Sequence, residues 1–114
     1  MNTQKNPAFA DEPLPVLIAD NHERFCETFS FWLEKYPRYR AAYICHEAEA
    51  AKQVIRNYPV ALAFVSYEIG NCRGPEVAAF IRQYNNHIGV IGTSHHSHEL
   101  KVFRMLDAGV KAFF

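Results

Sequence analysis

The chain lacks most of the features that would point directly to an activity. Its twelve basic residues are matched by twelve acidic ones, so no excess of positive charge is available to track a nucleic-acid backbone or an anionic membrane. Direct nucleic-acid binding is therefore not expected of this chain. No apolar run approaches the roughly 18 residues that a membrane-spanning helix needs. The opening MNTQKNPAFADEPLP has no apolar stretch like that of a secretory signal. Only three cysteines are present, Cys26, Cys45 and Cys72. Their odd number and wide spacing give neither a disulfide framework nor a C-x-x-C pair, and reduced thiols in the cytoplasm are expected. No internal repeat is visible, and no G-x-S-x-G elbow surrounds Ser66.

What is present is a core-forming composition. Apolar residues make up 49% of 114 positions, with nine Phe and six Tyr, which excludes a disordered chain. This length suits one domain, and such a domain buries roughly two-thirds of its unfolded-chain surface. Residues 1–12 read as a loose polar tail and 13–114 as the domain.

Along the domain, strand and helix signals alternate. Val16-Leu17-Ile18-Ala19 is a short continuous apolar run ending at Asp20, the pattern of a strand buried on both faces. Phe25, Phe29, Trp32, Leu33 and Tyr36 then recur at helical spacing, up to Pro37. Arg40 to Cys45 reads as a second strand. Ala48, Ala51, Val54 and Ile55 mark one face of a second helix. PVALAFVS is a third strand. Gly74-Pro75-Glu76 opens a third helix, because proline tolerates the first helical position and an acid there complements the dipole. Val77, Phe80, Ile81 and Tyr84 form its stripe. Ile88 to Gly92 is a fourth strand, HHSHELKVFRMLDAG a fourth helix ending at Gly109, and VKAFF a fifth strand.

This alternation predicts an α/β fold, a doubly wound parallel sheet of five strands with helices on both faces. Ligand sites in such sheets lie beyond the carboxyl ends of the strands. The residues expected there are Asp20, Asn21 and His22, then Ser66, Tyr67 and Glu68, then Thr93 and Ser94.

These positions carry a resemblance. From Leu14 to Phe114 the chain resembles a response-regulator receiver domain of two-component signalling, closest to the receivers that precede helix-turn-helix output domains. VLIADNHERF is similar to the family's first strand and acidic pair, with Asp20 and Asn21 in the paired positions. In ALAFVSYEIG, Ser66 falls where the phosphoacceptor aspartate belongs. IGTSHH supplies the switch hydroxyl, Ser94 or Thr93, and AGVKAFF puts Phe113 at the switch aromatic position. The resemblance implies the flavodoxin-like strand order 2-1-3-4-5. It also implies a lysine two positions beyond Phe114 and a fifth helix, neither of which this chain contains, so the domain reads as incomplete at its C-terminus.

The departures decide the functional expectation. An aspartate carboxylate attacks a phosphoryl group while Mg²⁺ on acidic oxygens offsets the charge. Ser66 is neutral and would need a base, and Asn21 removes a second acid. The expectation is a degenerate receiver, without aspartyl phosphorylation, catalysis, cofactor or metal. It would act in signal transduction as a protein-interaction module, regulating transcription through an output domain or partner outside this chain. A homodimer or signalling-protein contact is expected through the fourth helix and fifth strand. There Leu100, Phe103 and Leu106 suit a core face and leave Val102, Met105 and Phe114 as the interaction face.

The residues also carry local alternatives. Asp20 or Asn21 could cap the first helix, and Ser97 the fourth. Ser66 could be a satisfied strand-end hydroxyl and Glu68 an exposed loop acid. A different function would be a small-ligand or metal-binding module of flavodoxin-like fold using Asp20, Glu68 and the His95, His96 and His98 cluster.

Overall fold

The structure is a computed structural model that describes residues 12–95 and 99–114. The expected tail falls almost wholly outside the described residues, as do His96, Ser97 and His98. The elements run β1 (Leu14–Ala19), α1 (Glu23–Leu33), β2 (Tyr39–Cys45), α2 (Ala48–Asn57), β3 (Leu62–Ser66), α3 (Ile69–Cys72), α4 (Gly74–Tyr84), β4 (Gly89–Thr93), α5 (Glu99–Ala108) and β5 (Ala112–Phe113). The five strands form one sheet in the order β2-β1-β3-β4-β5, and every pairing is parallel. Fold class and strand order agree with the sequence expectation.

Period-two alternation of strand side chains sorts the core into two layers. Leu17 and Ala19 of β1 join Ala63, Val65 and Val90 against Ala51 and Ile55 of α2, Val77 and Ile81 of α4, and Met105 of α5. Val16 and Ile18 face the other way, onto Cys26 and Leu33 of α1, with Phe29, Leu62 and Phe64 partly buried beside them. Val16, Leu17, Ile18 and Ala19 are all fully buried, which is why β1 reads as a continuous apolar run.

Two helix readings need correction. In α1 the inward residues are Cys26, Phe29 and Leu33, while Trp32 is 56% exposed and Tyr36 58%. The helix stops at Leu33, so Tyr36 belongs to the following turn. In α5 the expected faces are exchanged. Met105 is fully buried, whereas Leu100, Phe103 and Leu106 are 48%, 67% and 49% exposed. Met105 cannot belong to an exposed interaction face. Val102 is half-buried and Phe114 exposed. The reason lies in β4, where Gly92 has no side chain. A Cβ there would lie 3.1 Å from Met105 Cε and 2.8 Å from Phe113 Cδ1. The glycine opens a space that the thioether and the Phe113 ring fill together, and Met is well suited to an irregular gap.

The element missing from the sequence reading is α3. It is a left-handed turn, with Gly70, Asn71 and Cys72 at φ 57°, 63° and 68°. Asn tolerates this region but cysteine seldom adopts it. The turn closes when the Gly74 amide donates to Tyr67 O at 3.1 Å. A Cβ on Gly74 would lie 2.5 Å from Tyr67 Cα and closer still to Ser66 O, so only glycine fits. No helix of the described residues is long and apolar enough to cross a membrane.

Candidate functional site

The carboxyl ends of β1, β3 and β4 bring Asp20, Ser66 and Thr93 to one edge of the sheet, as parallel register requires. Ser66 is fully buried. Its hydroxyl donates to Glu68 Oε1 at 3.1 Å and accepts the Glu68 amide at 3.2 Å, so it is a satisfied strand-end hydroxyl.

Glu68 is the centre of the site. Its Oε1 also accepts the His95 amide at 3.2 Å. Its Oε2 accepts the Ser94 hydroxyl at 2.7 Å and the Lys101 ammonium at 2.9 Å. Burial works to raise its pKa, but the donors Lys101, Ser94, the His95 amide and Ser66 overcome it and hold the carboxyl down at about 2. The Glu68 side chain is only 12% exposed, so it is not a solvated loop acid. Ser94 supplies the hydroxyl that reaches Glu68, while Thr93 accepts the Tyr67 amide at its backbone oxygen.

Lys101 was not legible as a site residue. On a helix it reads as a solvated charge, but from the first turn of α5 its ammonium reaches Glu68 in the loop after β3. Its ammonium also lies 5.3 Å from the centre of the Tyr67 ring, and Tyr67 Oη accepts from Arg104 Nη1 at 3.2 Å. Both α5 cations are thus tied to the loop after β3.

Asp20 lies beside this network, 1% exposed. Oδ1 accepts the His22 amide at 2.9 Å and His22 Nδ1–H at 3.1 Å, and Oδ2 accepts His95 Nε2–H at 2.8 Å. Its backbone oxygen accepts His46 Nδ1–H at 2.9 Å. The two rings on its carboxylate stack at 3.9 Å, and Phe25 meets His95 edge-on at 4.9 Å. Neither Asp20 nor Asn21 caps α1: the N-cap position is His22, and it makes no side-chain cap bond. Asn21 is exposed. Cys26 donates its thiol to Asp20 O, and burial and then the Asp20 charge push that thiol up to about 11, leaving it unreactive near neutral pH. A separate open cavity of about 370 Å³, lined by Arg82, Asn86, Ile88, Val90, Gly109 and Lys111, lies at the amino ends of the strands, away from this site.

The arrangement is poor at nucleophilic chemistry. Among the described residues the carboxylate that Ser66 bonds is Glu68, and a carboxylate with a pKa of about 2 is a weak base for a hydroxyl. It is good at holding one negative charge in a fixed place between β3, β4 and α5.

Among solved structures, the chain is similar in fold to the signal receiver domain of a NarL response regulator from Mycobacterium tuberculosis. The TM-score is 0.82 and the identity 24%, over 90% of this chain and 82% of that one. A CheY-like receiver domain protein from Methanospirillum hungatei gives 0.81 and 18%, over 90% and 81%. A LuxR-family two-component response regulator from Aurantimonas sp. gives 0.81 and 17%, over 90% and 73%. A comparison with curated proteins finds no match. Residues 16–114 match the response regulator receiver domain, and the chain belongs to that family.

Proposed function

We propose that this chain is a pseudo-receiver, a signalling and protein-interaction module that works without aspartyl phosphate. Receiver domains are signalling modules of two-component systems and commonly dimerise or bind partners. The observation that carries the reading is the Glu68 carboxylate, held by Ser66, Ser94 and Lys101. Ser66 stands for the phosphoacceptor and Ser94 for the switch hydroxyl, and Lys101 sets a cation against the Glu68 carboxylate. Glu68 then supplies, as part of the chain, the anion that phosphorylation would add. The charge is smaller than that of a phosphoryl group, but it meets the same kinds of donor.

The residues do not fit the magnesium ion that the family resemblance implies. Magnesium takes six oxygen ligands and is usually held by carboxylates and water. Asp20 gives both its oxygens to imidazoles, Asn21 is exposed, and Ser66 and Glu68 are bonded to each other.

The contact surface in this reading is α5 with β5. Phe103, Leu106 and Leu100 are its exposed apolar residues, with Val102 at the margin and Phe114 on β5. Phe113, packed over Gly92, is the switch aromatic and is held inward. Transcriptional output would belong to a partner or domain outside these residues, and the reading needs no catalysis and a location in the cytoplasm.

The test is incubation with Mg²⁺ and acetyl phosphate or beryllofluoride, followed by intact-mass measurement and calorimetry. The expected result is no phosphoryl mass shift and no beryllofluoride binding. A stable phosphoryl adduct on the chain, or tight beryllofluoride binding abolished by Ser66→Ala, would overturn it.

A further inference from the structure

The Glu68 carboxylate is held without the side chains of Asp20, His22 and His95, which gather around Asp20 instead. Three side chains from three separate segments converge there: Asp20 at the end of β1, His22 at the start of α1, and His95 in the loop after β4. Their potential ligand atoms all lie within 4.8 Å of one another. We propose that Asp20, His22 and His95 form a binding site for a divalent late first-row transition ion, of which zinc is the type.

The donor set argues for this class of ion and against the hard one. Two imidazoles and one carboxylate suit zinc, copper or nickel, whereas magnesium and calcium need oxygen ligands. A tetrahedral zinc with bonds of about 2.0–2.1 Å sets its ligand atoms about 3.3 Å apart. The two imidazole nitrogens are 3.1 and 2.8 Å from the Asp20 oxygens, close to that spacing, and the three ligand atoms lie within 4.8 Å of one another. On binding, each ring exchanges protons with solvent so that its proton sits on the nitrogen away from the ion, and the nitrogen facing Asp20 offers its lone pair.

The surroundings are those of a built site. Asp20 is 1% exposed and its main chain is held by His46 and by the Cys45 carbonyl, so the carboxylate is carried on a fixed stretch of backbone. Phe25 supports the His95 ring from the side. The His22 side chain is 47% exposed and that of His95 23%, which leaves one direction open to solvent for a fourth ligand such as water. An ion here would fasten the loop after β4 to the end of β1. The inference is independent of the role given to Glu68: metal binding can fail while the pseudo-receiver reading stands, and the reverse.

The experiment is a titration of the tag-free chain with Zn²⁺ against a chromophoric chelator, with Co²⁺ as the spectroscopic substitute. The expected result is one ion per chain and an intense cobalt d–d spectrum of low coordination number. Excess Mg²⁺ should leave binding unchanged. His22→Ala, at a half-exposed position that tests the site without threatening the fold, should weaken zinc binding at least ten-fold, as should His95→Ala. Absence of stoichiometric binding would overturn the proposal. So would affinity unchanged in both variants, or a loss seen only in the His96→Ala, His98→Ala double variant.

Discussion

The Lys101 ammonium lies 2.9 Å from Glu68 Oε2 and ties the first turn of α5 to the loop after β3. The two side chains are 23% and 12% exposed, so the pair is sheltered more than an ordinary surface ion pair. The same carboxylate takes three further donors, and this set of bonds gives the site a measurable acid dependence.

Glu68 is held down at about 2 from an ordinary value of 4.5. A depressed carboxyl adds stability that is complete above its unfolded pKa and is lost as pH falls through the folded one. The contribution is on the order of 3 kcal/mol and disappears between about pH 4.5 and pH 2. Urea midpoints of wild type and Glu68→Gln, measured from pH 6 to pH 2, should differ most at pH 6 and converge toward pH 2. A constant gap across that window would mean that Glu68 is not held by these donors.

Glycine at position 74 is required by the close approach of the chain at Ser66 and Tyr67. Gly74→Ala should cost about 2–3 kcal/mol, because the obstructing atoms are backbone. Gly92→Ala should cost less, since Met105 Cε can yield more easily than a peptide. Denaturant unfolding of the two variants checks the order. A Gly74→Ala variant as stable as wild type would remove the account of the β3–α4 turn.

The two faces of α5 should respond differently to truncation. Met105→Ala removes a fully buried side chain and should cost about 2–5 kcal/mol. Phe103→Ala, at a position 67% exposed, should change stability by no more than about 0.5 kcal/mol. Equal losses at both positions would mean that the helix is rotated from the orientation described.

Cys72 holds a left-handed conformation with its side chain exposed, so it gives up backbone energy without gaining packing. Cys72→Gly should raise stability by about 1 kcal/mol. Asn71→Gly should gain less, since asparagine tolerates that region. Thermal melts of the two variants give the comparison, and a fall in the midpoint for Cys72→Gly would contradict the left-handed turn.

Fold was more legible than site. The run from Val16 to Ala19 and the Gly-Pro-Glu start of α4 report local facts, burial on both faces and dipole complementarity, that the sequence states directly. The inward side of α5 is not local. Leu100, Phe103 and Leu106 are as apolar as Met105, and the choice between them is made by Gly92, a missing side chain on another element. Asp20, Ser66, Glu68 and Ser94 could be placed because strand ends converge in a parallel sheet. His22 could be placed there too, but its partnership with His95 across the pocket could not, since 75 residues separate His95 from Asp20. Lys101 was hidden for the same reason.

A charge carried on phosphoaspartate is erased by water or by a phosphatase, and the signal has a lifetime. The Glu68 carboxylate is part of the covalent chain and has no such clock. On the proposed reading, whatever α5 and β5 present in this conformation is present for as long as the polypeptide survives. Its control then falls to synthesis, proteolysis and competition for the partner.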